Sequence, residues 1–188
     1  MLDIYLTIVL APLMGSLIVG LAGNRLGRKI SHSITILGVA ISTVLSIYVF
    51  NHHVLNNADI FNQNIYTWMQ IGGLNISVGF LVDNLTAVML VVVSFVSLMV
   101  HIYTIGYMHD DKEYTKFFSY ISLFTFAMFT LVISNNFMQL FFGWEAVGLV
   151  SYLLIGFWHH KESAIEANLK AFLVNRVGDF GFLLGIAF

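Results

Sequence analysis

The sequence predicts an all-α polytopic membrane protein. Three observations carry that reading. Of the 188 residues, 59% are hydrophobic and only 10% charged, against about a quarter charged in an ordinary soluble domain. Six apolar runs reach, or nearly reach, the roughly 20 residues that span a bilayer. The basic residues fall on alternate connections between those runs.

The runs are taken in order. The first covers residues 2–23 and carries the single proline, Pro12. The second covers 31–50. The third covers 83–107, with Asp83 and Asn84 suited to cap a helix N-terminus. The fourth covers 116–133, the fifth 137–157, and the sixth begins near Ala167 and continues to Phe188. The first run has no basic stretch ahead of it and is long enough to span, so no cleavable leader is expected. The sequence stops inside an apolar run, so it is expected to be a piece of a longer protein.

Arg25, Arg28 and Lys29 lie between the first and second runs, Lys112 and Lys116 between the third and fourth, and Lys161 and Lys170 between or at the ends of the fifth and sixth. Connections 51–82 and 134–136 hold no Lys or Arg. The positive-inside rule then turns the basic connections inward and the N-terminus outward. In the long outer connection, Leu74, Ile76, Val78 and Phe80 alternate with Asn75, Ser77 and Gly79, after residues 65–71 and the pair Gly72-Gly73. This is the pattern of a β-hairpin outside the hydrocarbon, since an isolated strand cannot satisfy its backbone in lipid. Asn75-Ile76-Ser77 matches a glycosylation sequon too short to carry weight.

Net charge is −2, which excludes a nucleic-acid footprint, and there is no Cys, which excludes disulfides and thiolate-held metal or iron–sulfur centres in this chain. The informative residues are Glu145, Arg176 and Asp179, each deep in an apolar run. A charge at mid-membrane costs on the order of 2.5–3.5 kcal/mol on insertion scales, so such residues read as ion-pathway groups. Glu145, Gly148 and Tyr152 share one helix face. Asn168, Asn175 and Asp179 share another, and Arg176 and Asp179 stand three apart, where they can pair. Together they form a polar stripe with Lys170 near its mouth. Low dielectric disfavours an ionised carboxylate and a neighbouring cation favours it. Glu145 has no cation within a turn of its own helix, so it is the expected proton carrier, while Asp179 beside Arg176 is the expected structural or modulating acid. The plainer readings are that Glu145 glues helices together by hydrogen bonding and that Arg176 and Asp179 neutralise each other.

Ser94, Ser97, His101 and Thr104 stripe the third run, and Ser119, Ser122 and Thr125 the fourth. Such stripes mark helix packing, with His101 able to join a water chain. His109, His159 and His160 read as solvated loop histidines. Trp68 and Trp158 suit interfacial belts, and Trp144 is expected to shape a cavity wall.

Residues 142–158, FGWEAVGLVSYLLIGFW, closely resemble the GWE-x-VG-x-x-SYLLIGFW signature of the large antiporter-like membrane subunit of respiratory complex I, known as subunit L in bacterial NADH:quinone oxidoreductase and chain 5 in mitochondria. Residues 171–179 resemble the following helix and 82–108 an earlier one. The resemblance implies an antiporter-like inverted-repeat bundle that moves protons. It also implies roles for Glu145, Asp179 and Arg176 in the proton pathway; from the residues themselves, Lys170 at the mouth of the stripe and His101 on the third run are further pathway candidates. A lysine partner of Glu145 is expected on a seventh helix outside this sequence. No cofactor is expected in this chain; FMN, iron–sulfur clusters and quinone belong to other subunits. The expected partners are the other membrane subunits, above all the adjacent antiporter-like one, and the lipid bilayer. The expected site is a bacterial inner membrane, or alternatively the mitochondrial one. Residues 1–115 form an expected N-terminal three-helix region, and 116–188 the first part of the proton-translocating repeat. The nearest alternative is the large subunit of an Mrp-type cation/proton antiporter. A haem-binding anchor needs axial histidines and finds only His101 within the spans. A purely structural assembly subunit would tolerate loss of the Glu145 charge.

Overall fold

The computed structural model describes residues 1–72 and 74–188. Among them the chain forms α1 (Leu2–Leu26), α2 (Arg28–Phe50), a π turn (Asn51–Leu55), β1 (Phe61–Ile71), β2 (Leu74–Val82), α3 (Asn84–Tyr107), α4 (Tyr114–Val132), α5 (Phe137–Ile155) and α6 (Glu162–Ala187). The first five of these α-helices are long and apolar enough to cross a membrane. The sixth does not qualify, because Glu162, Glu166, Lys170, Arg176 and Asp179 dilute its apolar character. It also starts earlier than residue 167, at Glu162.

The bundle is built by close backbone approach and hydroxyl contacts, as expected where lipid supplies no hydrophobic drive between helices. Pro12 has no N–H to offer the Ile8 carbonyl. The Ser42 hydroxyl donates to that carbonyl instead, at 2.8 Å. Gly38 lets α2 press on the same turn, where a Cβ would stand 2.9 Å from the Ala11 carbonyl oxygen. On the other side of α1, Ser122 donates to the Pro12 carbonyl at 2.8 Å, and Ser119 donates to the Ser16 carbonyl at 2.9 Å. On α3, Ser97 and Thr125 share a 2.5 Å hydrogen bond and Thr43 donates to the Ser94 carbonyl. The hydroxyl stripes of α3 and α4 are therefore packing seams.

Asp83 caps α3 by accepting from the Thr86 amide at 2.7 Å. The hairpin pairs Phe61 with Val82 through to Ile71 with Leu74, and β1 is longer than the pattern indicated. Ile65 and Trp68 are extra residues at two bulges, which twist the ribbon. Gly73, half of the expected turn pair, and the side chain of Asn75 lie outside the described residues. The hairpin is anchored on the start of α5. The Gly79 amide donates to Gln139 Oε1 at 2.9 Å, Asn136 donates to the Ser77 carbonyl, and Leu81 donates to the Ile133 carbonyl. At the same end, Tyr5 and His53 are buried and share a 2.8 Å hydrogen bond.

The opposite end gathers the basic connections. Arg28 donates to the carbonyls of His109 and Asp111, and the Trp158 indole donates to Asp111 at 3.0 Å. The Trp158 donor and the Glu113 amide hold the Asp111 carboxyl below the usual carboxylate range. The helix ends thus sort into a basic face and a hairpin face, as the alternation of Lys and Arg requires.

Candidate functional site

Helix α5 begins at Asn136, whose side chain accepts from the Gln139 amide at 2.8 Å and so satisfies a free N-terminal donor. Its packing against α4 is set by Gly143. A Cβ there would lie 2.8 Å from Leu131 Cα and 2.9 Å from Leu131 N, so only glycine lets the two backbones meet. That contact fixes the next two residues, Trp144 and Glu145, on the side toward α6. Helix α6 packs against α5 and places Arg176 and Asp179 opposite them.

The three charges meet. Arg176 Nη1 donates to Glu145 Oε2 at 2.5 Å, and Arg176 Nε stands 3.3 Å from Asp179 Oδ2. Asp179 is buried, whereas the Glu145 side chain is 22% accessible and Arg176 40%. Glu145 is therefore half-buried, beside an open recess of about 540 Å³ walled by Phe141, Phe142, Phe180 and Leu183. The guanidinium also lies 5.1 Å from the centre of the Phe172 ring, a cation–π contact. Gly148 leaves space beside it, since a Cβ there would be 4.0 Å from Arg176 Nη2. The cation absent from α5 is thus supplied by α6.

Trp144 was expected to shape a cavity wall, but it is half-exposed and does not line this recess. Its indole Nε1–H donates to Asp179 Oδ1 at 2.9 Å. Sequence reasoning missed this contact; the available signal was an N–H-bearing aromatic beside an intramembrane acid. One guanidinium between two carboxylates gives the cluster a formal charge of −1 when all three are ionised. A single added proton makes it neutral, and neutrality is the cheaper state in low dielectric.

Toward the basic face, a second recess of about 310 Å³ is lined by Glu113, Lys116, Tyr120, Tyr152, His159 and Asn168 among others. Asn168 packs onto Gly156, and its Oδ1 is buried without a partner among the described residues. Seven residues separate Tyr152 from Glu145, about 10 Å along the helix. Asn175 is exposed, and Lys170 is exposed and lines neither recess. His101 is away from the cluster, fully buried on α3 beside Phe118, with Nδ1 bonded within its own helix to Ser97 and Nε2 without a partner among the described residues. Among the described residues no group of His, Cys, Asp or Glu could hold a metal ion.

A family model described as NADH-Ubiquinone oxidoreductase (complex I), chain 5 N-terminus matches residues 68–118, and one described as NADH:quinone oxidoreductase/Mrp antiporter, TM matches residues 134–188. NADH-quinone oxidoreductase subunit L of Neisseria meningitidis serogroup B is 66% identical over 98% of this chain and 28% of its own length. NADH-ubiquinone oxidoreductase chain 5 of Dictyostelium discoideum is 45% identical over 97% of this chain and 27% of its own length. The chain therefore spans little more than a quarter of the relatives it matches. A solved chain of the membrane-bound sulfane sulfur reductase, an archaeal respiratory membrane complex, superposes with a TM-score of 0.80 at 16% identity, covering 97% of this chain and 36% of that one; at that identity the fold alone is shared. With two family models matching different stretches and two-thirds identity along nearly all its length, the chain belongs to the antiporter-like family of NADH:quinone oxidoreductase subunit L and chain 5 proteins.

Proposed function

We propose that the chain is part of a proton-translocating membrane subunit of NADH:quinone oxidoreductase, and that Glu145 is its proton carrier. The observation that supports this best is the two-carboxylate, one-guanidinium cluster held between neighbouring helices. It is one proton short of neutrality and stands beside an open recess. Glu145 is the group to load: it is the more accessible acid, whereas Asp179 is buried, with Oδ1 accepting from the Trp144 indole and Oδ2 3.3 Å from Arg176 Nε. The recess at Tyr152 and Asn168 supplies a polar approach from the basic face. By charge bias that face meets the cytoplasm or matrix, with the N-terminus and hairpin on the other side. The membrane is the bacterial cytoplasmic membrane in this reading, with the mitochondrial inner membrane as the alternative.

In the same reading, electron transfer through flavin, iron–sulfur clusters and quinone takes place in other subunits, and the adjacent antiporter-like subunit is the principal neighbour. The chain's own residues hold and move a proton. Each charge that crosses the membrane field carries about 2.3 kcal/mol per 100 mV. Proton affinity in the cluster must therefore change between states, and Arg176, shared between two acids, is the group whose displacement would change it.

The test is Glu145→Gln in the full-length subunit within the assembled complex. NADH-driven proton uptake by inverted vesicles should be impaired at matched levels of complex. Unchanged uptake would leave Glu145 as packing glue.

A further inference from the structure

The geometry points to Trp144 as a positioning residue for the proton-handling cluster, acting through its indole N–H on Asp179; the inference rests on the function proposed above. Asp179 is 5% exposed, and both of its oxygens are engaged: Oδ1 by Trp144 at 2.9 Å and Oδ2 by Arg176 at 3.3 Å. Among the described residues Arg176 Nε has no hydrogen bond of good geometry, so its hold on Asp179 is electrostatic. The indole is thus, among the described residues, the one directed hydrogen bond that fixes the Asp179 carboxylate.

The donor's chemistry suits the task. An indole N–H donates and does not titrate in the working pH range. It stabilises an ionised carboxylate without bringing a charge. A lysine or arginine in its place would add a second cation, cancel the −1 of the cluster and remove the demand for a proton. Trp144 and Glu145 are also consecutive residues. The helix that carries the proton acceptor therefore also holds the acid that competes with it for Arg176. The half-exposed ring packs beside Phe182, 6.4 Å away between centres. The charged groups facing Asp179 are Arg176 on its own helix and Glu145 on α5, among the described residues.

Without the indole donor, no directed hydrogen bond holds the Asp179 carboxylate in place, and the sharing of Arg176 between Asp179 and Glu145 changes. Replacing Trp144 by benzothienylalanine, which keeps the bicyclic shape and lacks the N–H, separates donation from packing. Trp144→Phe is the second variant, and Glu145→Gln is the reference. All three are measured in the full-length subunit of the assembled complex, as protons pumped per NADH across a range of pH. The sulfur isostere and Trp144→Phe are both expected to lower the protons pumped per NADH and to displace its pH profile by about one to two pH units, the worth of a hydrogen bond to a charge. An isostere with the wild-type yield and pH profile overturns the inference, whatever Trp144→Phe does, because the ring alone would then suffice. If Glu145→Gln pumps normally, the functional reading itself fails. If Glu145→Gln fails to pump while the isostere is silent, only the role of Trp144 is lost.

Discussion

Gly143→Ala tests the link between helix packing and the charged cluster. The added Cβ would sit 2.8 Å from Leu131 Cα and 2.9 Å from Leu131 N, and neither atom can swing away as a side chain would. Comfortable carbon contacts begin near 3.5 Å, so the α4 and α5 backbones must part locally by roughly 0.6–0.7 Å. Overpacking of this kind costs about 1–3 kcal/mol. A helix gains up to about 1 kcal/mol when glycine becomes alanine, which masks part of the loss. Gly106→Ala on α3 is the matched control, because a Cβ there meets nothing within 4 Å. The difference between the two variants cancels most of the propensity gain and leaves about 1–3 kcal/mol against Gly143→Ala. The assay is reversible unfolding of the full-length subunit in mixed micelles with increasing denaturing detergent, followed by helical circular dichroism. The same displacement carries Trp144 and Glu145 with α5, so pumping in the assembled complex should fall as well. Equal unfolding midpoints for the two variants, or normal pumping by Gly143→Ala, would refute the reasoning.

Two further outcomes follow from contacts outside the cluster. Thr125→Val leaves Ser97 without its 2.5 Å partner, so a double-mutant cycle with Ser97→Ala should return a coupling of roughly 0.6–1.7 kcal/mol, the range for hydroxyl bonds between membrane helices; a coupling of zero would mean that neither hydroxyl needs the other. At the basic face, the Asp111 carboxyl is held below the usual range by Trp158 first and the Glu113 amide second, so the folded state binds its proton less readily than an unfolded chain. Its stabilising contribution is complete above the ordinary carboxylate value of about 3.9 and is lost as pH falls through the lower folded value. A fluorine label on Trp158 should report a transition only below about pH 4, and Asp111→Asn should abolish it; a transition that survives the substitution would assign it to another group.

Much of the fold was legible because each signal was local. Hydropathy set five spans, Asp83 marked its cap, and strict alternation in 74–80 marked the second strand. The bulges at Ile65 and Trp68 were not legible, because a bulge is a mismatch between two strands and neither strand records it alone. The charged residues stood out since charge in an apolar run is expensive. The pairing of Arg176 with Asp179 was legible from their three-residue spacing; that of Arg176 with Glu145 was not, because it forms through the packing of α5 on α6, which periodicity along one helix cannot report. Trp144 was hidden for a different reason. Hydropathy counts an indole with the apolar residues, and its single N–H becomes informative only once the buried acceptor is known. The Ser42 bond to Ile8 shows the reverse case: Pro12 announces an orphaned carbonyl in the sequence, and only the fold reveals which hydroxyl fills it.

The central claim is that the Glu145 carboxyl exchanges a proton while Arg176 and Asp179 set its surroundings. Infrared difference spectroscopy of the assembled complex, recorded between resting and NADH-driven states, observes that exchange as a carboxylic-acid carbonyl band. The band should shift in heavy water, disappear in Glu145→Gln and survive in Gly106→Ala. A difference spectrum identical in wild type and Glu145→Gln would contradict the account.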